Sequence, residues 1–207
     1  MEKLKTKIYQ FFTIDPGFMK KYLRSLLPYI LISGLFFLAG IIAGYYFVKL
    51  FPSDSEKLLS FFKQTYEPIL GMSKISQILF IFLKNGFTSL LMIISGILFG
   101  IIPLASLISN GEMLGMIFGS NIQEYSIFYL LSGILPHGII EIPCFLLTSA
   151  IGLKIGRVFY KKIFKKGGNL KEEFNLGLTF FLKIIIIFLF LAAVLEVLVS
   201  SELLRIY

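Results

Sequence analysis

Uncharged apolar runs, separated by short charged stretches, organise this chain. Residues 26–48 are 23 positions without a charge. At about 1.5 Å per helical residue that run matches the ~30 Å hydrocarbon core of a bilayer. Pro28 lies in its first turn, where a missing N–H costs little. The basic flank is long, and no small-x-small cleavage site follows before Lys49, so the run is expected to be a retained span. Residues 85–111 form a second stretch of 27 uncharged positions containing Gly86, Gly96, Gly100 and Pro103. Pro103 is expected to kink or end a helix, which predicts a span over about 82–102. Residues 104–119 are shorter and are broken by Asn110, Gly111 and Glu112. They read either as a short tilted span or as two short helices meeting at depth. Residues 125–153 suffice for one span but are interrupted by Pro136, Gly138 and Pro143. Residues 176–200 are the last span, with Lys183 near one end and Glu196 near the other. The pattern predicts an all-α fold, a polytopic transmembrane bundle of about five membrane segments, some of them broken by Pro or Gly at membrane depth.

The cations give the threading. Lys3, Lys5, Lys7, Lys20, Lys21 and Arg24 precede the first span; Lys154, Arg157, Lys161, Lys162, Lys165, Lys166 and Lys171 follow the proline-rich one. Both groups are expected to face the cytoplasm. An even number of crossings must then separate residue 102 from residue 154. Five crossings satisfy this, as do three with two membrane-dipping hairpins. The organisation that follows is a basic cytoplasmic segment, 1–24, and a single transmembrane domain, 25–207. That domain carries an outside loop at 49–84 and a basic cytoplasmic loop at 154–175, and the C-terminus lies outside. Within the outside loop, Leu58, Leu59, Phe61, Phe62, Tyr66 and Ile69 form a helical stripe after the acidic start at Asp54. It reads either as a helix lying on the bilayer or as a docking face for outside or membrane partners over 54–69.

Composition narrows the function classes. Apolar residues make up 57% of the chain and charged ones 15%, with a net charge of +8. A soluble domain of 207 residues has too little interior for so much apolar surface, so the excess is expected to meet lipid in the cell membrane. Nucleic acid is not an expected partner; the basic runs read as orientation signals that also favour anionic lipid. The single cysteine, Cys144, excludes an intrachain disulfide.

Glycines recur at spacings of four: Gly40 and Gly44, Gly96 and Gly100, Gly111, Gly115 and Gly119, Gly152 and Gly156. Such strips permit close helix–helix approach, within one bundle or between two copies in a homodimer. Residues 95–103, SGILFGIIP, also resemble residues 132–143, SGILPHGIIEIP, at an offset of 37. The likeness reads as an internal repeat or as two helices with the same need for a small face and a break. Paired broken helices are a pattern on which transporters build sites.

The chemistry at depth is sparse. His137 and Glu141 are four apart, on one helical face, between Pro136 and Pro143. A carboxylate in a span costs about 2.5–3.5 kcal/mol on insertion scales and should face the bundle interior. The pair reads as a structural polar clasp or as an ion-handling site. His137 is the only histidine, so no metal site is expected. Neither a serine–base arrangement nor a phosphate-binding glycine loop is present, so no enzyme activity and no cofactor are expected.

Residues 135–156, LPHGIIEIPCFLLTSAIGLKIG, resemble the signature of the stage II sporulation protein M family of multi-pass membrane proteins. Asn85, the run Gly100-Ile-Ile-Pro103, Asn110-Gly111 and Gly115 resemble the rest of that family's pattern. The resemblance extends from Arg24 to the C-terminus. It implies a polar membrane core of His137, Gly138, Glu141 and Pro143, with Asn85 and Asn110 as companions. Glu196, Gly100, Pro103, Gly111 and Gly115 form a secondary set. The named member of the family acts with two partner proteins in engulfment during sporulation, with peptidoglycan hydrolysis done by a partner. The resemblance therefore implies a non-enzymatic membrane scaffold or anchor that positions partner proteins. The alternative from the residues is a small secondary transporter or ion-conducting protein built on paired broken helices and Glu141.

Overall fold

The computed structural model describes residues 16–122, 127–165 and 167–200, with the side chains of 66, 127–137, 199 and 200 outside the description. Its helices are α1 (Pro16–Leu50), α2 (Pro52–Leu70), α3 (Lys74–Ser95), α4 (Ile101–Asn121), α5 (Ile127–Phe164), α6 (Leu170–Phe180) and α7 (Ile186–Leu195). A π-helical turn, Phe181–Ile185, joins α6 to α7, and a second, Glu196–Ser200, follows α7. No strand occurs among the described residues. Five helical segments are long and apolar enough to cross a membrane: α1, α3, α4, the 138–164 part of α5, and the rod running from α6 to residue 198. The chain is a multi-pass membrane protein of all-α fold.

The proline at 103 acts differently from its expected role. It does not end a helix but sits in the first turn of α4, where its fixed φ suits a helix start. The break falls just before it, in the turn 96–100, with Gly100 at φ 74° and Phe99 at φ 56°. That left-handed pair reverses the chain between two spans within five residues. Residues 104–119 consequently belong to one 21-residue helix. The second span also starts earlier than 82. Ser73 caps α3, its hydroxyl accepting from the Ser76 N–H at 3.3 Å. Lys84, the last residue of the expected outside loop, therefore lies in the middle of α3.

At the second expected interruption the helix is whole. α5 runs through Pro136, Gly138 and Pro143 without a break. An internal proline costs about 3 kcal/mol. Opening a helix in hydrocarbon exposes several backbone groups at several kcal/mol each, so continuity is the cheaper outcome. The two SGIL units therefore adopt different structures, one closing α3 in a turn and the other lying inside α5. The basic stretch 154–175 is mostly helix, the end of α5 and the start of α6, with only 165–169 between them.

Helix directions follow from which residues meet. Gly40 and Gly44 face Ile108 and Glu112, and Gly119 approaches Tyr45 and Val48, so α1 and α4 run parallel. Met92 meets Ser149 and Gly152, and Gly96 meets Gly152 and Gly156, so α3 and α5 run parallel. Lys154 meets Glu173 while Ile151 meets Gly177, so α5 and α6 are antiparallel. The Phe82 and Phe190 rings meet edge to face at 5.5 Å, and Gly86 lies beside Ile186, so α3 and α7 are antiparallel. The five segments alternate in direction, as successive crossings must. The core shared by α1, α3, α5 and the C-terminal rod includes Leu26, Ile93, Ile151, Ile155 and Ile185, each 0% exposed.

Candidate functional site

The most fully assembled polar group lies where the start of α1, the end of α5 and the start of α6 converge. The Glu173 carboxylate accepts a hydrogen bond from the Tyr22 hydroxyl at 2.9 Å and pairs with the Lys154 ammonium at 3.0 Å. The same Lys154 Nζ donates to the Ser25 hydroxyl at 2.8 Å and sits 4.5 Å from the Tyr22 ring centroid. The Lys154 and Glu173 side chains are only 14% and 10% exposed. Every charge here has a partner, which is the condition for burying such a group. α6 starts at this place because Asn169 caps it, its side chain accepting from the Glu172 N–H at 3.2 Å. The cap sets Glu173 in the first turn, aimed at the bundle. One turn along α5, Arg157 donates to the Tyr29 hydroxyl at 3.1 Å. In the sequence Lys154 stands out only as part of a basic run, and no motif marks Tyr22, Ser25 or Glu173. The available signal was Tyr22 and Ser25 one helical turn apart, together with an acid in the capped first turn of α6.

Two knots of glycine hold the spans together. A methyl added at Gly111 would overlap the Phe37 carbonyl oxygen, and one at Gly115 the Ile41 carbonyl oxygen. From the other side, Gly40 abuts the Ile108 carbonyl and Gly44 that of Glu112. α1 and α4 thus touch backbone to backbone along two turns. In the second knot, Gly96, Gly100, Gly152 and Gly156 bring the α3–α4 turn onto α5, with Pro103 buried against Gly152. Four of the secondary site residues, Gly100, Pro103, Gly111 and Gly115, are therefore packing elements.

The residues expected to form the polar core lie on three helices. Gly138 is buried and Glu141 half-buried on α5, whereas Pro143 is exposed. The His137 side chain lies outside the described residues. Asn85 is half-buried on α3. Asn110 stands exposed on α4, its amide donating to the Ser106 carbonyl of its own helix at 2.8 Å. A short polar side chain that satisfies its own helix needs no partner across the bundle. Glu196, half-buried, comes within electrostatic reach of Lys84. Lys84, Glu141, Lys183 and Glu196 belong to three mutually packed segments, α3, α5 and the C-terminal rod. Among the described residues no three His, Cys, Asp or Glu side chains gather as a metal would require.

Against known proteins, the family model described as stage II sporulation protein M matches residues 33–201. No significant match is found among curated proteins or among solved structures. The matched stretch takes in both glycine knots, the membrane-depth acids and the Lys154–Glu173 pair. With four-fifths of its length inside that match, this chain belongs to the stage II sporulation protein M family.

Proposed function

We propose that this chain is a non-enzymatic scaffold of the cell membrane, which positions partner proteins in the sporulation-related setting of its family. The observation that carries the reading is the backbone-to-backbone packing of α1 on α4 and of the α3–α4 turn on α5. A carrier working by alternating access rocks one group of helices against another around discontinuous helices. Here α5 is continuous, and the chain reversal at 96–100 lies at the end of its spans. Rigid spans suit an anchor. α2 is the surface offered to a partner. It turns Ser55 and Ile69 onto the bundle and leaves Leu58 and Phe61, 42% and 63% exposed, facing away. The distribution of cations supports a threading with the N-terminus and 165–169 in the cytoplasm, and α2 and the C-terminus outside.

One observation favours a second reading, an ion-conducting or transport protein. Lys84, Glu141, Lys183 and Glu196 are ionisable groups within packed spans, and such groups mark ion pathways by default. Reconstitution in liposomes under an imposed pH gradient separates the two. The scaffold predicts no protein-dependent proton movement with any tested cation. It also predicts specific partner crosslinks from a photoreactive residue at position 61 in host membranes. Proton flux that Glu141→Gln abolishes, in a variant that still folds, replaces the scaffold with the carrier.

A further inference from the structure

We propose that the seam where the start of α1 packs against the end of α5 binds the phosphate headgroup of an anionic phospholipid. Arg157 reaches across this seam to the Tyr29 hydroxyl and spends one donor there, leaving the exposed guanidinium with donors to spare. Lys161 lies one turn further along the same face of α5, and Lys21 occupies the matching position on α1, two turns before Tyr29. Both are exposed, and neither has an acidic partner among the described residues. Glu173, which reaches this seam, is already neutralised by Lys154. The three cations therefore give the seam net positive charge.

The same face of α1 continues from Lys21 through Ser25 and Tyr29 to Ile32 and Phe36, at helical spacings of four, four, three and four. Ile32 and Phe36 are 40% and 38% exposed, and they lie inside the uncharged run that starts at Leu26. A basic rim at the membrane boundary, with an apolar track running from it into the hydrocarbon, matches an amphiphile. The phosphate lies on Arg157, Lys161 and Lys21, and an acyl chain lies along Ile32 and Phe36. A soluble anion would use the rim and leave the track bare. The glycerophospholipid is the occupant that satisfies both.

The test uses the full-length purified protein in mild detergent, with thermal melting and native mass spectrometry as readouts. Phosphatidylglycerol is expected to raise the melting temperature more than phosphatidylcholine does, and to stay bound at activation energies that strip the zwitterionic lipid. Arg157→Gln with Lys161→Gln is expected to lose at least half of that increment. Lys57→Gln, on α2, is expected to keep it. Lys21→Gln leaves the Arg157–Tyr29 bond in place and is expected to lower phosphatidylglycerol retention even where the double variant folds poorly. Equal effects of the two lipids overturn the proposal, as does full retention in the variants. An increment reproduced by inorganic phosphate alone also overturns it, because the site would then be one for soluble anions.

Discussion

Glu173 receives three different demands: it accepts from Tyr22, neutralises Lys154 and opens α6. Removing one partner of a buried ion pair costs about 3–5 kcal/mol, because the other charge is left unpaired. Glu173→Ala is therefore expected to lower the melting temperature more than Glu173→Gln, whose amide still accepts from Tyr22. Adding Lys154→Met to Glu173→Gln is expected to recover part of the loss. Melting curves of the three variants in one detergent check the order, and a double variant no better than Glu173→Gln would show that the charge balance is irrelevant. Ser33 presents the opposite case. Its hydroxyl is fully buried and has no hydrogen-bond partner among the described residues. Ser33→Ala removes an unsatisfied group at little loss of volume and is expected to stabilise by about 1 kcal/mol. Unchanged or lower stability would mean that the hydroxyl is satisfied in the membrane. Residue chemistry of this kind was poorly legible beforehand. In the sequence the conspicuous polar residue is Glu141, in the middle of an apolar run, whereas the assembled network uses residues 22, 25, 154 and 173, far apart in sequence and joined only by packing.

Among the elements, α1 carries its own control. Gly34 has open space where a Cβ would go, whereas Gly115 on α4 fits directly against the Ile41 carbonyl of α1. Gly34→Ala is expected to be neutral or to stabilise by about 0.5–1 kcal/mol through lower backbone entropy. Gly115→Ala is expected to destabilise by at least about 1–3 kcal/mol, since the clash is with backbone that has no rotamer to yield. Chemical denaturation in mixed micelles measures both, and equal behaviour of the two would argue that α1 and α4 separate in the membrane. The glycine strips were readable as close-approach surfaces because spacing alone reveals them. Which strip meets which was not readable, since glycine carries no side-chain chemistry to mark a partner. The same ambiguity misplaced the boundary at Pro103. Proline breaks a helix from inside and favours it from the first turn, and only the left-handed Phe99–Gly100 turn decides between the two.

At the level of the whole molecule, the number of spans was legible because apolar length is set by bilayer thickness. The continuity of α5 was not, because it depends on the cost of opening a helix in hydrocarbon and not on the prolines alone. Threading with the basic end inside predicts that a cysteine at position 165, in a Cys144-free protein, stays unlabelled by an impermeant reagent in intact cells. A cysteine at position 64 is expected to label. Labelling at 165 reverses the orientation. A homodimer must use a face other than the glycine strips, because Gly40, Gly44, Gly111 and Gly115 are already occupied within one chain. Native mass spectrometry of Gly34→Leu against wild type is expected to show the same stoichiometry for both; a change would put Gly34, which α4 leaves open, in the contact between copies.

The parallel pairing of α1 with α4 also has a consequence for how the protein is made. Gly40 meets its partners around Ile108 and Gly111 only after α3 has crossed back and α4 has been synthesised. At about 5–20 residues per second, the roughly 70 intervening residues take about 4–14 s. During that interval the first helix waits in the membrane with its narrow face uncovered. A chain stalled after α3 would keep that face bare, available to another waiting first helix or to membrane quality-control proteases. Covering of that face thus depends on the arrival of the fourth helix.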